Sequence, residues 1–166
     1  MNKTLTGKPS VDRPWMQYYP PQMIEGLSIP EQTVAEYLEE RCPGSDVVAM
    51  HYYGTDITWK ELNEQVDKTA RALRALGFGE GDQIPTFLRS VPEFLYLLLA
   101  AERIGASLLC RDNTIEENVD AVKKSGAKII FAHDFLSHDD LNAYRNGAGV
   151  HGAVLLSPLR SADRTQ

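Results

Sequence analysis

The sequence predicts an α/β fold in which a mostly parallel sheet is flanked by helices, with an N-terminal arm and a short β-hairpin ahead of it. Three observations carry this reading. From Gln83 onward, short strand-like apolar runs alternate with helical periodicities through four strands and three helices, and such alternation demands crossovers and parallel neighbours. Two T-x-x-E capping boxes, Thr58 with Glu61 and Thr114 with Glu117, mark helix starts in which hydroxyl and carboxylate reciprocally satisfy free amides. Residues 57–76 then carry Leu62, Val66, Thr69, Ala70, Leu73 and Leu76 along one helical face, with Glu64, Asp67, Lys68, Arg71 and Arg74 elsewhere around the cylinder.

Taken in order, residues 1–13 are polar and are expected to be a disordered leader. Trp15, Tyr18 and Tyr19 then stand crowded between prolines, which suits an extended strap laid on the globule, or contact with a partner or further domain. Ser28 and Glu31, with Pro30 allowed in a first turn, are expected to start a helix carrying Val34, Tyr37, Leu38 and Arg41, closed by Pro43-Gly44. Residues 47–53 are rich in β-branched and aromatic side chains, Gly54-Thr55-Asp56 reads as a turn, and Ile57 begins the return strand of a hairpin that feeds the anchor helix. Ile57 and Leu62 supply a hydrophobic staple at its start. Gly77 is its left-handed C-cap, with Phe78 folding back on Leu73. Burial of Leu62, Val66, Leu73 and Leu76 is worth roughly 6 to 12 kcal/mol before entropy, so this helix needs a partner surface.

The second half supplies the sheet. Residues 83–89 read as a strand, although Pro85 removes a ladder donor and favours an edge or a strand start. Ser90 to Glu93 opens a helix that is apolar on most sides and stops at Gly105. Residues 107–110 follow as a short buried strand. Thr114 starts a helix to Ser125 with Gly126 as its stop, and residues 127–132 form a third strand. Residues 133–144 read as a helix, 146–149 as a loop and 152–157 as the last strand. The organisation is thus a leader at 1–13, one α/β subdomain at 14–157 and a frayed tail at 158–166.

Composition narrows the function classes. The 166 residues are 43% apolar and 24% charged, ordinary for a globular chain able to bury a sizeable core. A net charge of -6 with no basic block argues against nucleic-acid and anionic-membrane partners. Cys42 and Cys110 are too few and too isolated for a disulfide framework or a zinc set, and two reduced thiols are expected. With no apolar secretory segment near the start and no membrane-length apolar run, a cytoplasmic protein is the expectation.

No catalytic, cofactor-binding or metal-binding residue is assigned from the chain itself. Gly77 to Gly81 is glycine-rich, but a phosphate loop must leave a strand and open a helix, whereas this one leaves a helix and enters a strand. His133, His138, Asp134, Asp139 and Asp140 cluster in sequence, yet a solvated helix start with acids near its positive end accounts for them better than a metal. Cys110, at the end of an apolar strand, reads as core rather than nucleophile. By position the best candidate is Arg111-Asp112-Asn113, after the residue 107–110 strand, at the carboxyl edge where open α/β sheets bind ligands; as a bare turn it is an equally good connector.

The order of pieces resembles the N-terminal portion of the adenylate-forming superfamily of acyl-CoA synthetases, related acid ligases and nonribosomal adenylation domains. The resemblance rests on Ile57-Thr58-Trp59-Lys60-Glu61-Leu62, Leu76-Gly77 with Gly81-Asp82, Pro92-Glu93-Phe94, Gly105-Ala106 and Ser125-Gly126-Ala127-Lys128, and it covers about residues 14 to 157. The arm around Trp15 is also similar to the leader of some acyl-CoA synthetases. What the resemblance implies is the N-terminal part of the acyl-CoA synthetase fold, with ATP, Mg2+ and CoA used by the full-length enzyme and no cofactor held in this stretch. It implies a partner, the remainder of the ligase, and an exposed docking face through which a dimer could form. Where most members carry a proline-rich turn, this chain has Leu109-Cys110-Arg111-Asp112-Asn113, so a substrate is not inherited. The family's phosphate loop, adenine contacts and catalytic lysine have no counterparts among these residues. An N-terminal scaffold of an acid-CoA ligase, inactive alone, is therefore expected. The alternatives are a stand-alone partner-binding module on the same fold, and a dinucleotide-binding domain, which would want a glycine fingerprint that is not in the sequence.

Overall fold

The structure, a computed structural model, describes residues 6–25, 30–42, 44–88, 90–110, 114–158 and 161. The chain divides into two units, Met1–Gln32 and Thr33–Gln166. In the first, α1 (Pro9–Asp12), a 3-10 turn (Pro14–Tyr18) and α2 (Pro21–Glu25) follow one another. Each begins with a proline, which a first helical turn tolerates because its amide would have no intrahelical partner. Short helical turns thus replace the expected extended strap. Within the expected leader, the Asp12 carboxylate accepts from the Thr6 amide and hydroxyl and the Gly7 amide at 2.8–2.9 Å. Residues 1–5 lie outside the described residues.

The second unit opens with α3 (Val34–Arg41). Its cap is Thr33 with Glu36 in a complete capping box, not Ser28 with Glu31, so Pro30 lies ahead of the helix. Ser28 and Pro43 lie outside the described residues. Strands β1 (Val48–Tyr52) and β2 (Thr55–Thr58) pair antiparallel with Tyr52 opposite Thr55. The hairpin turn is Tyr53-Gly54, both at positive φ (41° and 82°), the geometry that matches strand twist in a two-residue loop. Thr55 and Asp56 therefore belong to the return strand rather than to the turn.

Helix α4 (Trp59–Ala75) forms where the cap places it. The Thr58 hydroxyl accepts from the Glu61 amide at 3.2 Å, and the Glu61 carboxylate accepts from the Thr58 amide at 2.9 Å. Leu62, Val66, Ala70 and Leu73 are buried, and Ile57 is buried as the staple requires. Leu76, expected on the same face, is 42% exposed. The reason is the helix end: Gly77 turns left-handed, the Phe78 amide donates to the Leu73 carbonyl at 3.0 Å, and Phe78 takes the buried place instead.

Beyond this turn come β3 (Gln83–Phe87), α5 (Pro92–Arg103), β4 (Ser107–Cys110), α6 (Ile115–Ser125), β5 (Ile129–His133), α7 (His138–Ala148) and β6 (Gly152–Leu156). All neighbours in the four-stranded sheet are parallel, in the order β4-β3-β5-β6. Pro85 sits in an interior strand, not at an edge. It is tolerated because the β3–β5 ladder begins only at Thr86, one residue later. Of the two edge strands, β4 and β6, the former is half exposed rather than buried, and Cys110 at its end is exposed. His133 ends β5, opposite Leu156, so α7 does not begin there; Ser137 caps it, and it runs past Asn146 to Ala148 before Gly149 turns left-handed at φ 68°.

Two apolar layers cover the sheet. On one side Leu97 and Ala100 of α5 pack in one cluster with α4, the hairpin and the sheet residues Ile84 and Phe131. On the other, Val122 of α6 and Tyr144 of α7 pack with Ile130, and the Tyr144 ring stacks on Phe87 at 5.1 Å. Two glycines allow close approach. A Cβ on Gly105 (φ 77°) would meet Glu80 at 3.1 Å, and one on Gly147 would meet the Val119 side chain at 2.5 Å. Among the described residues, no helix is long and apolar enough to cross a membrane.

Removing the α4 cap with Thr58→Ala should cost about 1 kcal/mol in urea unfolding. Hydrogen bonds from the Thr58 backbone and side chain hold the Glu61 carboxyl below its usual value. A depressed carboxyl contributes above its unfolded pKa and loses that contribution as pH falls through its folded pKa. The gap between Thr58→Ala and the parent should therefore narrow in melts below about pH 4. In the same assay Leu62→Ala should cost about 3 kcal/mol, because it leaves a cavity. Leu76→Ala should stay within about 0.5 kcal/mol, as an exposed position does.

Candidate functional site

The strand order sets where a site can lie. From β3 the chain passes to β4 on one side and then returns to the other side for β5 and β6, so the topological switch falls between β3 and β5 at their carboxyl ends. Ser90 follows β3 with φ 45°, a conformation unusual for a residue with a side chain. His133 at the end of β5 is buried, and its ring stacks on Phe135 at 4.6 Å. The Asp134 amide donates to the Leu156 carbonyl at 3.1 Å, tying this end to β6. Arg111, Asp112 and Asn113, the sequence's best candidates, lie outside the described residues.

The other sequence candidates separate. His133 belongs to the sheet and His138 to the first turn of α7, with Asp139 and Asp140 beside the latter at the positive helix end. Among the described residues, no group of three or more His, Cys, Asp or Glu side chains is arranged to hold a metal ion. Cys110 is exposed at the rim of β4, and partial burial pushes its thiol up from the usual value, the opposite of what an activated thiolate requires.

The glycine-rich segment is a structural joint. The Gly77 amide donates to Arg74, Phe78 to Leu73, Gly79 to the Asp82 carboxylate at 2.8 Å, and Gly81 to the Gly105 carbonyl at 2.8 Å. Phosphate cradling needs such amides to point at the ligand, and here they close turns instead. The residues of this segment do not fit a triphosphate with its Mg2+.

A cleft of about 590 Å³ opens between α4, α5 and the β5–β6 side of the sheet. Helix α4 contributes Gln65, Lys68 and Thr69, whose spacing puts them one turn apart on a single face. Phe131, Val154 and Leu156 make the sheet side apolar. Helix α5 contributes Glu93 and Tyr96, placed three residues apart, again on one face. Glu93 lies in the first turn after Pro92, where the helix dipole favours an acid, and it is only 8% exposed. Its Oε1 accepts from the Ser161 hydroxyl at 2.6 Å, while Oε2 has no hydrogen-bond partner among the described residues. Burial, with the nearby Glu93 charge, pushes the Tyr96 hydroxyl up from its usual value. Burial does the same for Tyr52, aided by Tyr53 and Glu93, and the Tyr52 hydroxyl donates to the Pro158 carbonyl. The cleft is thus polar at one end and apolar along the sheet. In the sequence Glu93 reads as a helix start and family motif only; the signal for more is an acid opening an otherwise apolar helix.

An α/β layer whose first strand follows a capped helix and a glycine joint, with such a cleft beside the last strand, is the class of protein in hand. The sequence pattern of the AMP-binding enzyme family matches residues 38–163, more than half of the chain, and the chain belongs to that family. It is 33% identical over 96 residues to an acetyl-coenzyme A synthetase of Streptomyces avermitilis, a match covering 54% of this chain and 15% of that protein. It is 26% identical over 130 residues to surfactin synthase subunit 1 of Bacillus subtilis, covering 76% of this chain and 4% of that one. Among solved structures, apo MatB from Rhodopseudomonas palustris superimposes with a TM-score of 0.63 at 23% identity, over 75% of this chain and 25% of that one. The N-terminal domain of FACL13 from Mycobacterium tuberculosis does so with 0.62 at 22% identity, over 78% and 35%. These superpositions show the fold: the N-terminal portion of the adenylate-forming enzymes. The chain spans well under a quarter of the length of the named sequence relatives.

Iodoacetamide labelling should find Cys110 accessible, yet slower at pH 8 than a free cysteine, because partial burial holds its thiol above the usual value. Peptide mass mapping of the alkylated site measures this.

Proposed function

We propose that this chain is the N-terminal scaffold of an ATP-dependent, AMP-forming acid-CoA ligase, and that it builds one wall of the acyl and nucleotide cleft while holding none of the reacting groups. The observation that carries the reading is the family match across residues 38–163 combined with a glycine joint whose amides are already engaged in turns. Activating a carboxylate with ATP requires amides, Mg2+ and a cation arranged around the transferring nucleotide. In this reading ATP, Mg2+ and CoA bind the whole ligase, in the cytoplasm, through the polypeptide that completes it. That remainder is the partner of this unit. The chain's own contribution is mechanical: α4 and α5 brace the sheet, and the sheet fixes the position of the loops at its carboxyl edge.

Acetate-dependent exchange of labelled pyrophosphate into ATP tests this. The 166-residue chain alone should give no exchange above background, and calorimetry should find no nucleotide binding tighter than about 1 mM with Mg2+ present. Micromolar binding of ATP to the isolated chain would end the scaffold reading.

A further inference from the structure

We propose that β6 is the edge along which two copies of this chain join, antiparallel about a two-fold axis at Val154, so that two four-stranded sheets become one. This goes beyond the ligase reading and does not rest on it. Strands buried on both faces read as continuous apolar runs, whereas exposed edge strands are guarded by charges, prolines or bulges. Strand β6 is the apolar run G-A-V-L-L with none of those guards. It pairs with β5 through five consecutive residues without a register shift, and Leu155 stands 41% exposed. The other edge, β4, has Ser107 and Cys110 exposed at its two ends. Beyond Leu156 the Pro158 carbonyl accepts from Tyr52 of the hairpin and the Ser161 hydroxyl donates to Glu93 of α5, and neither bond occupies the edge of β6.

The backbone directions select a second copy. The Gly152 amide donates to the Lys128 carbonyl at 3.2 Å, and the Leu156 carbonyl accepts from the Asp134 amide at 3.1 Å, both on the β5 side. In a strand the amide and carbonyl of one residue point the same way and the direction alternates, so Val154 also faces β5 while the backbone groups of Ala153 and Leu155 point outward. A second β6 laid antiparallel with Val154 opposite Val154 sets Ala153 against Leu155 and Leu155 against Ala153. Each of these two pairs exchanges both backbone hydrogen bonds. Opposite residues share a face, and here a small one meets a large one at every step: Gly152 meets Leu156, and Ala153 meets Leu155. At the ends His151 meets Ser157, so no like charges are opposed. The strand is complementary to itself in hydrogen bonding, side-chain size and charge, as a closed two-fold pair requires.

Analytical ultracentrifugation of the 166-residue chain tests the association. A reversible dimer, at least half formed by about 100 µM, is expected. Leu155→Lys, which sets a charge on the edge, should weaken it about tenfold or more. Leu76→Lys, at an equally exposed apolar position away from β6, should leave it unchanged. Cysteine pairing tests the register, in a chain carrying Cys42→Ser and Cys110→Ser. Val154→Cys should give an interchain disulfide under mild oxidation, because opposite residues that share no backbone hydrogen bond stand about 4.5 Å apart at Cα. Ala153→Cys should not, since the two copies of that residue are offset by two positions along the strands, roughly 8 Å, beyond disulfide reach. This readout stands even if Leu155→Lys does not fold. A single-chain mass up to about 1 mM would overturn the proposal and leave the edge to a strand of an adjoining polypeptide. A mass climbing past two chains, a dimer of equal strength in folded Leu155→Lys, or disulfide formation as ready in Ala153→Cys as in Val154→Cys would also overturn it.

Discussion

The seam between α4 and α5 is the constraint on which the rest of this structure depends. Leu62, Val66, Ala70 and Leu73 of α4 are buried in the same cluster as Leu97, Ala100 and Ala101 of α5, and α5 in turn lies on the sheet beside Ile84 and Phe131. Charged groups at the far end of α5 fix the helices that flank it. Arg103 pairs with Asp67 of α4 and with Glu39 of α3, the latter at 2.6 Å, and Glu102 accepts from the Ala35 amide at 2.8 Å. These contacts are partly solvated and contribute little alone. Their consequence is geometric: α3, α4 and α5 are tied together at the end of α5 opposite Glu93.

The sequence told most where the chemistry is local. Thr58 with Glu61 and Thr114 with Glu117 announce their helices because the cap, the reciprocal carboxylate and the first apolar residue lie within one turn. The same box at Thr33 and Glu36 was passed over in favour of Ser28 and Pro30, since proline marks a helix start as readily as a cap does. Leu76 fits the helical period yet is exposed, because a left-handed glycine redirects the chain before that side chain can reach the core. Pro85 looked like an edge signal, and only the register shows that its neighbour on the β5 side starts one residue later.

Long-range partners were out of reach. Nothing in the neighbourhood of Glu93 says that Ser161 will meet it, or that Tyr52 will reach the Pro158 carbonyl. Those contacts exist because β6 returns the chain to the side of the sheet on which α5 lies. The fold class, the strand sequence and the structural nature of the glycine joint were legible from residue types and spacing; the cleft was not, because its lining comes from α4, α5, the sheet and Ser161, which lie far apart in the chain. For the same reason the family likeness was visible in short motifs that turn out to be caps and joints. Thr58-Glu61, Gly77 and Gly105 each solve a local backbone problem that the fold poses.

The family and the geometry meet in the joint at residues 77–81. In an adenylate-forming enzyme nucleotide must be gripped by free amides, and here the joint instead locks α4 to β3 and to the end of α5 through the Gly81 to Gly105 hydrogen bond. Amide hydrogen exchange, resolved residue by residue with and without ATP and Mg2+, tests this account most directly. The account predicts that the Phe78 and Gly81 amides are protected together with those of α4 and α5, and that nucleotide changes none of them. Rapid exchange at Phe78 and Gly81, or a gain of protection there when ATP and Mg2+ are added, would contradict it.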